Sequence, residues 1–258
     1  NMYGMNGTFI STLSMNGSGV LNQLGQSVSS AGDVNGDGYP DIIIGAPFLS
    51  PNVGNAYIFF GGVNMDNIAD VTLSGEASDN RLGQSVSGAG DVNGDGYADV
   101  IAGAYGYGTF RGRAYVYYGG AVMNNVADVI MTGEAVNNDF GNSVAGAGDV
   151  NGDGYTDVLV GAGRYNTETG RAYVYFGGAV MNNTADVIMT GETTNNNFGQ
   201  SVSSAGDVNA DGYSDMIIGA YRYNSYTGRA YIYFGGPVVN NTTDLILNGS
   251  TVNDYFGN

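Results

Sequence analysis

An acidic nine-residue pattern, D-x-N-x-D-G-Y-x-D, occurs four times in this chain. Side-chain oxygens at positions 1, 3, 5 and 9, together with the carbonyl oxygen at position 7, can converge on one hard cation, and glycine at position 6 permits the sharp turn. The predicted metal ligands, with each tyrosine contributing its carbonyl oxygen, are Asp33, Asn35, Asp37, Tyr39 and Asp41; Asp91, Asn93, Asp95, Tyr97 and Asp99; Asp149, Asn151, Asp153, Tyr155 and Asp157; and Asp207, Asn209, Asp211, Tyr213 and Asp215.

The ligand chemistry of this pattern favours calcium. All the ligand atoms are oxygens, which disfavours zinc and copper, and Mg²⁺ prefers a tighter octahedron with more water. An EF-hand begins similarly but needs an acidic residue at position 12 and a following helix; position 12 here is Ile44, Ala102, Val160 or Ile218. The alternative is an Asx-turn hairpin that binds no metal. Three carboxylates packed into a tight turn, four times over, disfavour that alternative without a cation.

The charge of the chain agrees with a bound cation. The formal charge is −17, from 24 acidic residues and seven arginines, and twelve of the acids lie in the four patterns. About four Ca²⁺ ions, one per repeat, would change the formal charge to −9. We expect a structural metal, bound with dissociation constants of roughly 10⁻⁴–10⁻³ M as in extracellular modules. Such an acidic surface repels nucleic acid and anionic membranes, so neither is an expected partner.

The acidic patterns belong to a repeat with a period of 58 residues. Four units are predicted at 24–81, 82–139, 140–197 and 198–255, with a partial unit at 1–23 and the start of a further one at 256–258. Four strand-like runs recur in each unit; in the third they are 141–150, 156–162, 171–177 and 185–191. Four strands per repeat of this length predict an all-β fold, a β-propeller of four-stranded antiparallel blades. A linear β-solenoid is the alternative, although its repeats are usually much shorter.

Composition supports short strands and tight turns. The chain has 45 glycines, 20 tyrosines and only four prolines, and it has no cysteine for disulfides or thiolate metal sites. Residues 1–23 show neither the basic nor the apolar region of a signal peptide, although one could have been removed already. No window reaches the roughly 18 apolar residues of a membrane span, so membrane insertion is not expected.

Three further features resemble the FG-GAP repeat family, which includes the blades of the integrin α-subunit propeller and of many bacterial surface proteins. They are the Leu-Gly or Phe-Gly openings at 24–25, 82–83, 140–141 and 198–199, the acidic turns, and the Gly-Ala pairs at 45–46, 103–104, 161–162 and 219–220. Only the first unit has the full Gly-Ala-Pro, with Pro47. The resemblance covers essentially the whole chain. It implies a propeller, Ca²⁺ in the turns after each first strand, and ligand recognition on the opposite face.

The number of blades is left open by the sequence. Residues 1–23 align with the end of a unit and predict a leading strand at about 8–15, and 256–258 repeat the opening of a unit. Three interpretations compete: a four-bladed ring with an extra edge strand, part of a larger ring, or an assembly in which several chains complete one another. The last could form filaments, because open head-to-tail contacts need not close.

The loops between the second and third strands differ from unit to unit, whereas the acidic turns hardly differ. In a propeller these loops lie on the face opposite the turns, together with the fourth-to-first connections such as 76–82. Exposed tyrosine and arginine among asparagine, serine and glycine resemble a paratope, and aromatic rings also stack on sugars. The predicted ligand-binding residues are Tyr105, Tyr107, Phe110, Arg111, Arg164, Tyr165, Arg222, Tyr223 and Tyr226. The recurring Arg113, Arg171 and Arg229 are instead predicted to pair with carboxylates of a neighbouring blade or loop.

Catalysis is disfavoured by what the sequence lacks. Histidine, cysteine and lysine are absent, as are a G-x-S-x-G elbow and a phosphate-binding loop. A carboxylate pair could still serve a glycosidase, but Glu76, Glu134 and Glu192 recur at equivalent positions, which suggests a structural role. We therefore expect a secreted or cell-surface calcium-binding module, not an enzyme, that acts in adhesion or in binding an extracellular protein or glycan ligand. The alternative is a structural subunit that assembles with further copies of itself.

Overall fold

The structure is a computed structural model that describes residues 2–3, 9–11, 23–49 and 51–258. Its strands form four antiparallel four-stranded sheets, one for each 58-residue unit. Near the N terminus, β1 (Met2–Tyr3) pairs with β2 (Phe9–Ser11) in a separate antiparallel sheet. The fold is therefore all-β and repetitive, as the sequence predicts.

The sixteen strands of the four sheets follow one another in chain order. They are β3 (Ser27–Gly32), β4 (Asp41–Ala46), β5 (Asn55–Phe59) and β6 (Val71–Ser74) in unit 1; β7 (Ser85–Gly90), β8 (Asp99–Ala104), β9 (Arg113–Tyr117) and β10 (Val129–Thr132) in unit 2; β11 (Ser143–Gly148), β12 (Asp157–Ala162), β13 (Arg171–Tyr175) and β14 (Val187–Thr190) in unit 3; and β15 (Ser201–Gly206), β16 (Asp215–Ala220), β17 (Arg229–Tyr233) and β18 (Leu245–Asn248) in unit 4. Each strand pairs with the next, so every unit is a simple meander.

The core lies between the sheets. Alternate residues of each middle strand point to opposite neighbours: Val100 and Ala102 pack against unit 1, whereas Ile101 packs against unit 3. Three apolar clusters result, one at each boundary between consecutive units. The units are thus held together by the same kind of interface, repeated three times.

The first strands of the units pack side by side. β3 lies against β7, β7 against β11, and β11 against β15. Small residues permit this approach: a side chain at Gly88 would collide with the backbone of unit 1, and one at Gly146 with that of unit 2. In the part of the chain that the structure describes, β15 does not return to pack against β3 in this way. The four sheets therefore form an open series and not a closed ring.

Short one-turn segments follow the second strand in units 2 to 4. They are α1 (Tyr107–Phe110), α2 (Tyr165–Glu168) and α3 (Tyr223–Tyr226). Their central residues have left-handed backbone angles, for example φ of 43° at Asn166 and 58° at Thr167. These segments are tight turns that carry the variable loop residues.

The predicted leading strand at about 8–15 lies mostly outside the described residues. Within that range, residues 9–11 form β2. At the other end, Phe256 forms a β-bridge with Gly228, as Phe140 does with Gly112 and Phe198 with Gly170. The opening of a further unit at 256–258 is therefore placed against unit 4 as each internal opening is placed against the unit before it.

Candidate functional site

Each acidic turn is held closed by hydrogen bonds between its own backbone and its own side chains. In unit 2, Asp91 Oδ1 accepts from the amides of Gly94 (2.7 Å) and Asp95 (3.1 Å), and Asp91 Oδ2 accepts from the amide of Gly96 (2.9 Å). Asn93 Oδ1 also accepts from the Asp95 amide, at 2.8 Å. Corresponding bonds to the first aspartate recur in the other three turns. In every unit, the side chains of the predicted ligands at positions 1, 3 and 5 therefore lie around the backbone of the same turn.

The aspartate at position 9 is buried at the start of each second strand. Asp99 is fully buried, and its two carboxylate oxygens accept hydrogen bonds from the amides of Val92 and Gly119, both at 2.8 Å. The same two bonds are made by Asp41, Asp157 and Asp215. This residue therefore joins the acidic turn to the connection after the third strand, a role that the ligand spacing did not predict.

Electrostatics within the turn are unfavourable to the ionised carboxyl at position 9 of units 2 and 3. Burial raises the pKa of Asp99 to about 7; the amides of Gly119 and Val92 lower it, and the charges of Asp95 and Asp91 raise it further. Asp157 has a pKa of about 7 for the same reasons. The charged neighbours that act on these carboxyls are other aspartates of the same turn, so their negative charge is not neutralised there.

The acidic turns fit a hard cation by their donor chemistry. Among the described residues, no group of three or more histidine, cysteine, aspartate or glutamate side chains is placed to hold a metal by itself. The turn also supplies amide and backbone carbonyl oxygens, however, and a carboxylate has about four acceptor positions, more than the amides use. An oxygen-only donor set with uncompensated negative charge suits Ca²⁺.

The tyrosine at position 7 has a second role in the structure. Glycine at position 4 of one turn lies beneath the tyrosine ring of the next: a side chain at Gly36 would overlap Tyr97, and one at Gly152 would overlap Tyr213. Backbone bonds follow the same path, because the Ala98 amide donates to the carbonyl of Asp33 at 3.0 Å. Consecutive acidic turns are therefore packed against one another.

Three of the predicted ligand-binding tyrosines lie beneath arginines. The guanidinium carbons of Arg113, Arg171 and Arg229 lie 3.7, 3.8 and 3.6 Å from the ring centres of Tyr107, Tyr165 and Tyr223. The same arginines pair with Glu76, Glu134 and Glu192 of the preceding unit at 2.6, 2.6 and 2.8 Å. The predicted pairing of these arginines with a neighbouring unit is thus confirmed, and the three tyrosines take part in it.

Other predicted ligand-binding residues meet around a cavity of about 410 Å³ at the end of the units opposite the acidic turns. Tyr105, Phe110, Arg164 and Arg222 line it. The structure adds residues that the sequence analysis did not select: Arg81, Gln84, Asp139, Asn142, Glu168, Asn197, Gln200 and Tyr221. Comparing the units position by position could have found several of them, because Arg81, Asp139 and Asn197 occupy the same place in successive units.

The remaining two predicted residues lie outside this cavity. Tyr226 lines a neighbouring cavity with Arg222, and its ring contacts those of Tyr221 and Tyr255. Arg111 is exposed on the same loop as Phe110. Arg111 is therefore a useful reference for arginine changes inside the cavity.

Four antiparallel sheets, each with an acidic turn at one end and a variable loop at the other, define a β-repeat binding scaffold. The FG-GAP repeat matches residues 24–59, 82–117, 140–175 and 198–233, which together make up more than half of the chain. The chain therefore belongs to the FG-GAP repeat family. No curated protein matches it.

Membership of this family has consequences for function. FG-GAP repeats suggest an integrin-like ligand-binding module; they are generally non-enzymatic and typically extracellular. Within the described residues there is no helix long and apolar enough to cross a membrane.

Proposed function

We propose that this protein is an extracellular calcium-binding module whose FG-GAP units act as propeller blades and whose loop end binds a protein or glycan ligand. The observation that carries this proposal is the contrast between the two ends of the units. The acidic turns are nearly identical in sequence and hydrogen bonding, whereas none of the positions that line the cavity carries the same residue in every unit. Residues that repeat in every unit suit a structural metal site, and residues that vary between units suit the recognition of a ligand.

Calcium would be held by the side chains at positions 1, 3, 5 and 9 and by the carbonyl at position 7. When bound, the ion would supply positive charge that offsets three carboxylates in each turn. Because the aspartate at position 9 also accepts amides from the turn and from the connection after the third strand, metal binding would stabilise the junction between strands. If the sites bind with dissociation constants of roughly 10⁻⁴–10⁻³ M, they would be filled by calcium outside the cell and not by cytosolic calcium.

Isothermal titration calorimetry tests calcium binding. The expected stoichiometry is about four Ca²⁺ per chain, with much weaker Mg²⁺ binding. Asp95→Asn should weaken or remove one site, because it deletes a charge at position 5 while keeping an oxygen for the Tyr97 amide. Asp79→Asn is the matched control, since Asp79 is exposed outside the turns. Equal stoichiometry and affinity in both variants would contradict the ligand assignment.

Thermal unfolding tests whether the metal is structural. A ligand that binds only the folded state stabilises it by RT ln(1 + [L]/Kd), which is about 1.4 kcal/mol per site at ten times Kd. With four such sites, replacing 10 mM CaCl₂ by EGTA should lower Tm by about 10 °C or more. An unchanged Tm would show that calcium has no structural role.

Ligand screening tests the recognition surface. Glycan arrays and pull-downs from extracellular fractions, both in calcium, should yield a ligand whose binding is reduced by Arg222→Gln. Arg111→Gln provides the same chemical change on an exposed loop outside the cavity and should leave binding intact. If both variants bind like the unchanged protein, the ligand surface lies elsewhere.

Self-assembly is a second candidate function, supported by the exposed back of unit 4. Leu247 is 42% exposed, whereas its counterparts Leu73, Met131 and Met189 in the other units are fully buried by the following unit. At the front of unit 1, Val28 is 66% exposed, whereas its counterpart Val86 is 5% exposed. Because each face resembles one half of an internal boundary, a further FG-GAP unit fits both faces, and in self-assembly a second copy of the chain would supply it.

Analytical ultracentrifugation over a range of concentrations tests this second candidate. Assembly should grow with concentration and be abolished by Leu247→Asp. Ile246→Asp is the matched control: the residue at this position is also exposed in units 2 and 3, as Ile130 and Ile188. A protein that stays monomeric at every concentration would rule out self-assembly.

A further inference from the structure

The cavity at the loop end is built from equivalent positions of successive units. Arg81, Asp139 and Asn197 each precede the opening of a unit, and their φ angles are 58°, 55° and 54°. The next residues, Leu82, Phe140 and Phe198, are almost fully buried and similar in character. One backbone conformation therefore presents three chemically different side chains to one cavity, and the fold does not require that difference.

The cavity concentrates positive charge in a strongly acidic protein. Three of the seven arginines line it, namely Arg81, Arg164 and Arg222. Three of the other four are paired with glutamates between units. Because the whole chain carries a formal charge of −17, a local excess of arginine is a specific attraction for an anionic group.

The acidic residues of the cavity only partly balance these arginines. Arg164 lies 3.5 Å from Asp139 and 3.8 Å from Glu168, and Arg222 pairs with Glu168. Arg81 forms no ion pair with a described residue. Its guanidinium carbon lies 5.1–5.5 Å from the ring centres of Phe48, Tyr105 and Phe110, and its Nη1 donates to the Tyr105 hydroxyl. The cavity therefore holds three positive charges against the two carboxylates of Asp139 and Glu168.

Buried polar atoms in this cavity lack hydrogen-bond partners within the protein. Among the described residues, six buried side-chain polar atoms have no partner, and four of them are Arg81 Nε, Arg222 Nε, Asp139 Oδ1 and Asn197 Oδ1. Asp139 is only 9% exposed and Asn197 only 4% exposed. Buried polar groups are nearly always hydrogen-bonded, so two donors and two acceptors gathered here indicate a place for a polar ligand.

We propose that the cavity binds the acidic sugar residue of a glycan, a polyhydroxylated carboxylate. The carboxylate would meet Arg81 and Arg222, and the hydroxyl groups, which both donate and accept, would satisfy Asp139 and Asn197. The volume falls in the range of about 300–1,000 Å³ that small-molecule sites occupy. An acidic peptide is less suited, because the aromatic rings that could hold apolar side chains already surround Arg81. This inference rests on the proposed function of the loop end.

Calorimetric titration of the calcium-loaded protein with three probes tests the proposal. Methyl β-D-glucuronide should bind at least about tenfold more tightly than methyl β-D-glucoside, since charge-assisted hydrogen bonds to a carboxylate are stronger than neutral ones. A capped Gly-Asp-Gly peptide, which lacks the sugar hydroxyls, should bind no better than the glucoside. Equal binding of the two glycosides, or tighter binding of the peptide, would overturn it.

Arg81→Asn locates the binding site. Asparagine suits this backbone, because Asn197 has nearly the same φ at the equivalent position. The variant should bind the glucuronide at least about tenfold more weakly while it stays folded, and Arg111→Asn should bind it like the unchanged protein. If Arg81→Asn fails to fold, Arg222→Gln takes its place. If Arg81→Asn, or Arg222→Gln in its place, binds the glucuronide as tightly as Arg111→Asn does, the cavity is not the binding site.

The two proposals can fail separately. If array or pull-down ligands depend on Arg222 but no acidic glycoside binds, the loop end remains the ligand surface and the acidic-sugar proposal is rejected. If neither the array nor the glycosides show binding, both are rejected.

Discussion

The backbone geometry repeats from unit to unit both at the turn end and at the loop end. The side chains, in contrast, repeat much more closely at the turn end than at the loop end. At the turn end, Asp99, Asp157 and their counterparts make the same hydrogen bonds in every unit. At the loop end, Arg81 and Asp139 stand at equivalent positions with nearly equal φ and opposite charge. The side chains of the acidic turns are repeated in every unit, whereas no position that lines the cavity carries the same residue in every unit. Substitutions at the turn end should therefore affect stability, and those at the loop end should affect binding.

The largest expected effect is that of Asp157→Ala, measured by urea unfolding in EGTA so that metal binding does not contribute. The change leaves the amides of Val150 and Gly177 without their acceptor, and each unsatisfied buried donor costs about 1–3 kcal/mol. We expect a loss of about 3–5 kcal/mol. Asp153→Ala, in the exposed part of the same turn, should cost about 1 kcal/mol. Similar losses in both would show that position 9 has no special role.

The second effect concerns position 4 of the turns. Gly152 has φ of 78° and lies beneath the ring of Tyr213, so Gly152→Ala should cost about 2–3 kcal/mol through strain and overlap. Ala210 occupies the same position in unit 4 with φ of 61°. Ala210→Gly should be neutral or slightly stabilising by urea unfolding. A neutral Gly152→Ala would mean that the turns are not packed against each other as described.

A smaller effect is expected from the pH dependence of the loop end. Burial raises the pKa of Asp139 to about 6; Arg164 and Arg81 lower it, and Glu168 raises it. Since the folded-state pKa lies above the ordinary value of 3.8, the stability contributed by the protonated carboxyl is present below about pH 4 and is lost as the pH rises through 6. Relative to Asp139→Asn, the unchanged protein should lose about 2 kcal/mol of unfolding free energy between pH 4 and 7. Parallel pH profiles would contradict the raised pKa.

The smallest effect is expected at the ion pairs between units. Glu134 is 43% exposed and Arg171 21% exposed, so Glu134→Gln should cost only about 0.5–1 kcal/mol. The difference between Glu134→Gln and the unchanged protein should shrink in 1 M NaCl, because salt screens the charges. A loss above 2 kcal/mol would mean that these ion pairs contribute as much to the free energy of unfolding as the buried aspartates do.

Much of the local structure could be predicted from the sequence. The 58-residue period, the four strands of each unit and the acidic turns all follow from alternation, turn residues and ligand spacing. Local rules suffice here because strands and tight turns depend on nearby residues. The pairing of Arg113 with Glu76 could also be predicted, because both residues recur with the repeat.

The site at the loop end was only partly predictable. Tyrosines such as Tyr107 looked free for a ligand, yet the structure places them beneath arginines. Arg81, Asp139 and Asn197 were not selected, because nothing in the local sequence shows that residues 58 apart meet in one cavity. Contacts between units are non-local, and the period of the repeat alone does not show which side chains line the same cavity.

The sequence by itself determined the family, the repeat, the strands and the chemistry of the acidic turns, because these depend on residue type and short-range spacing. Only the tertiary structure decided why glycine stands at Gly36, Gly94 and Gly152, because each of these residues lies beneath the tyrosine ring of the next unit. The arrangement of neighbouring units also determines which residues line the cavity. Its charge balance and its unpaired polar atoms arise from side chains that are far apart along the chain.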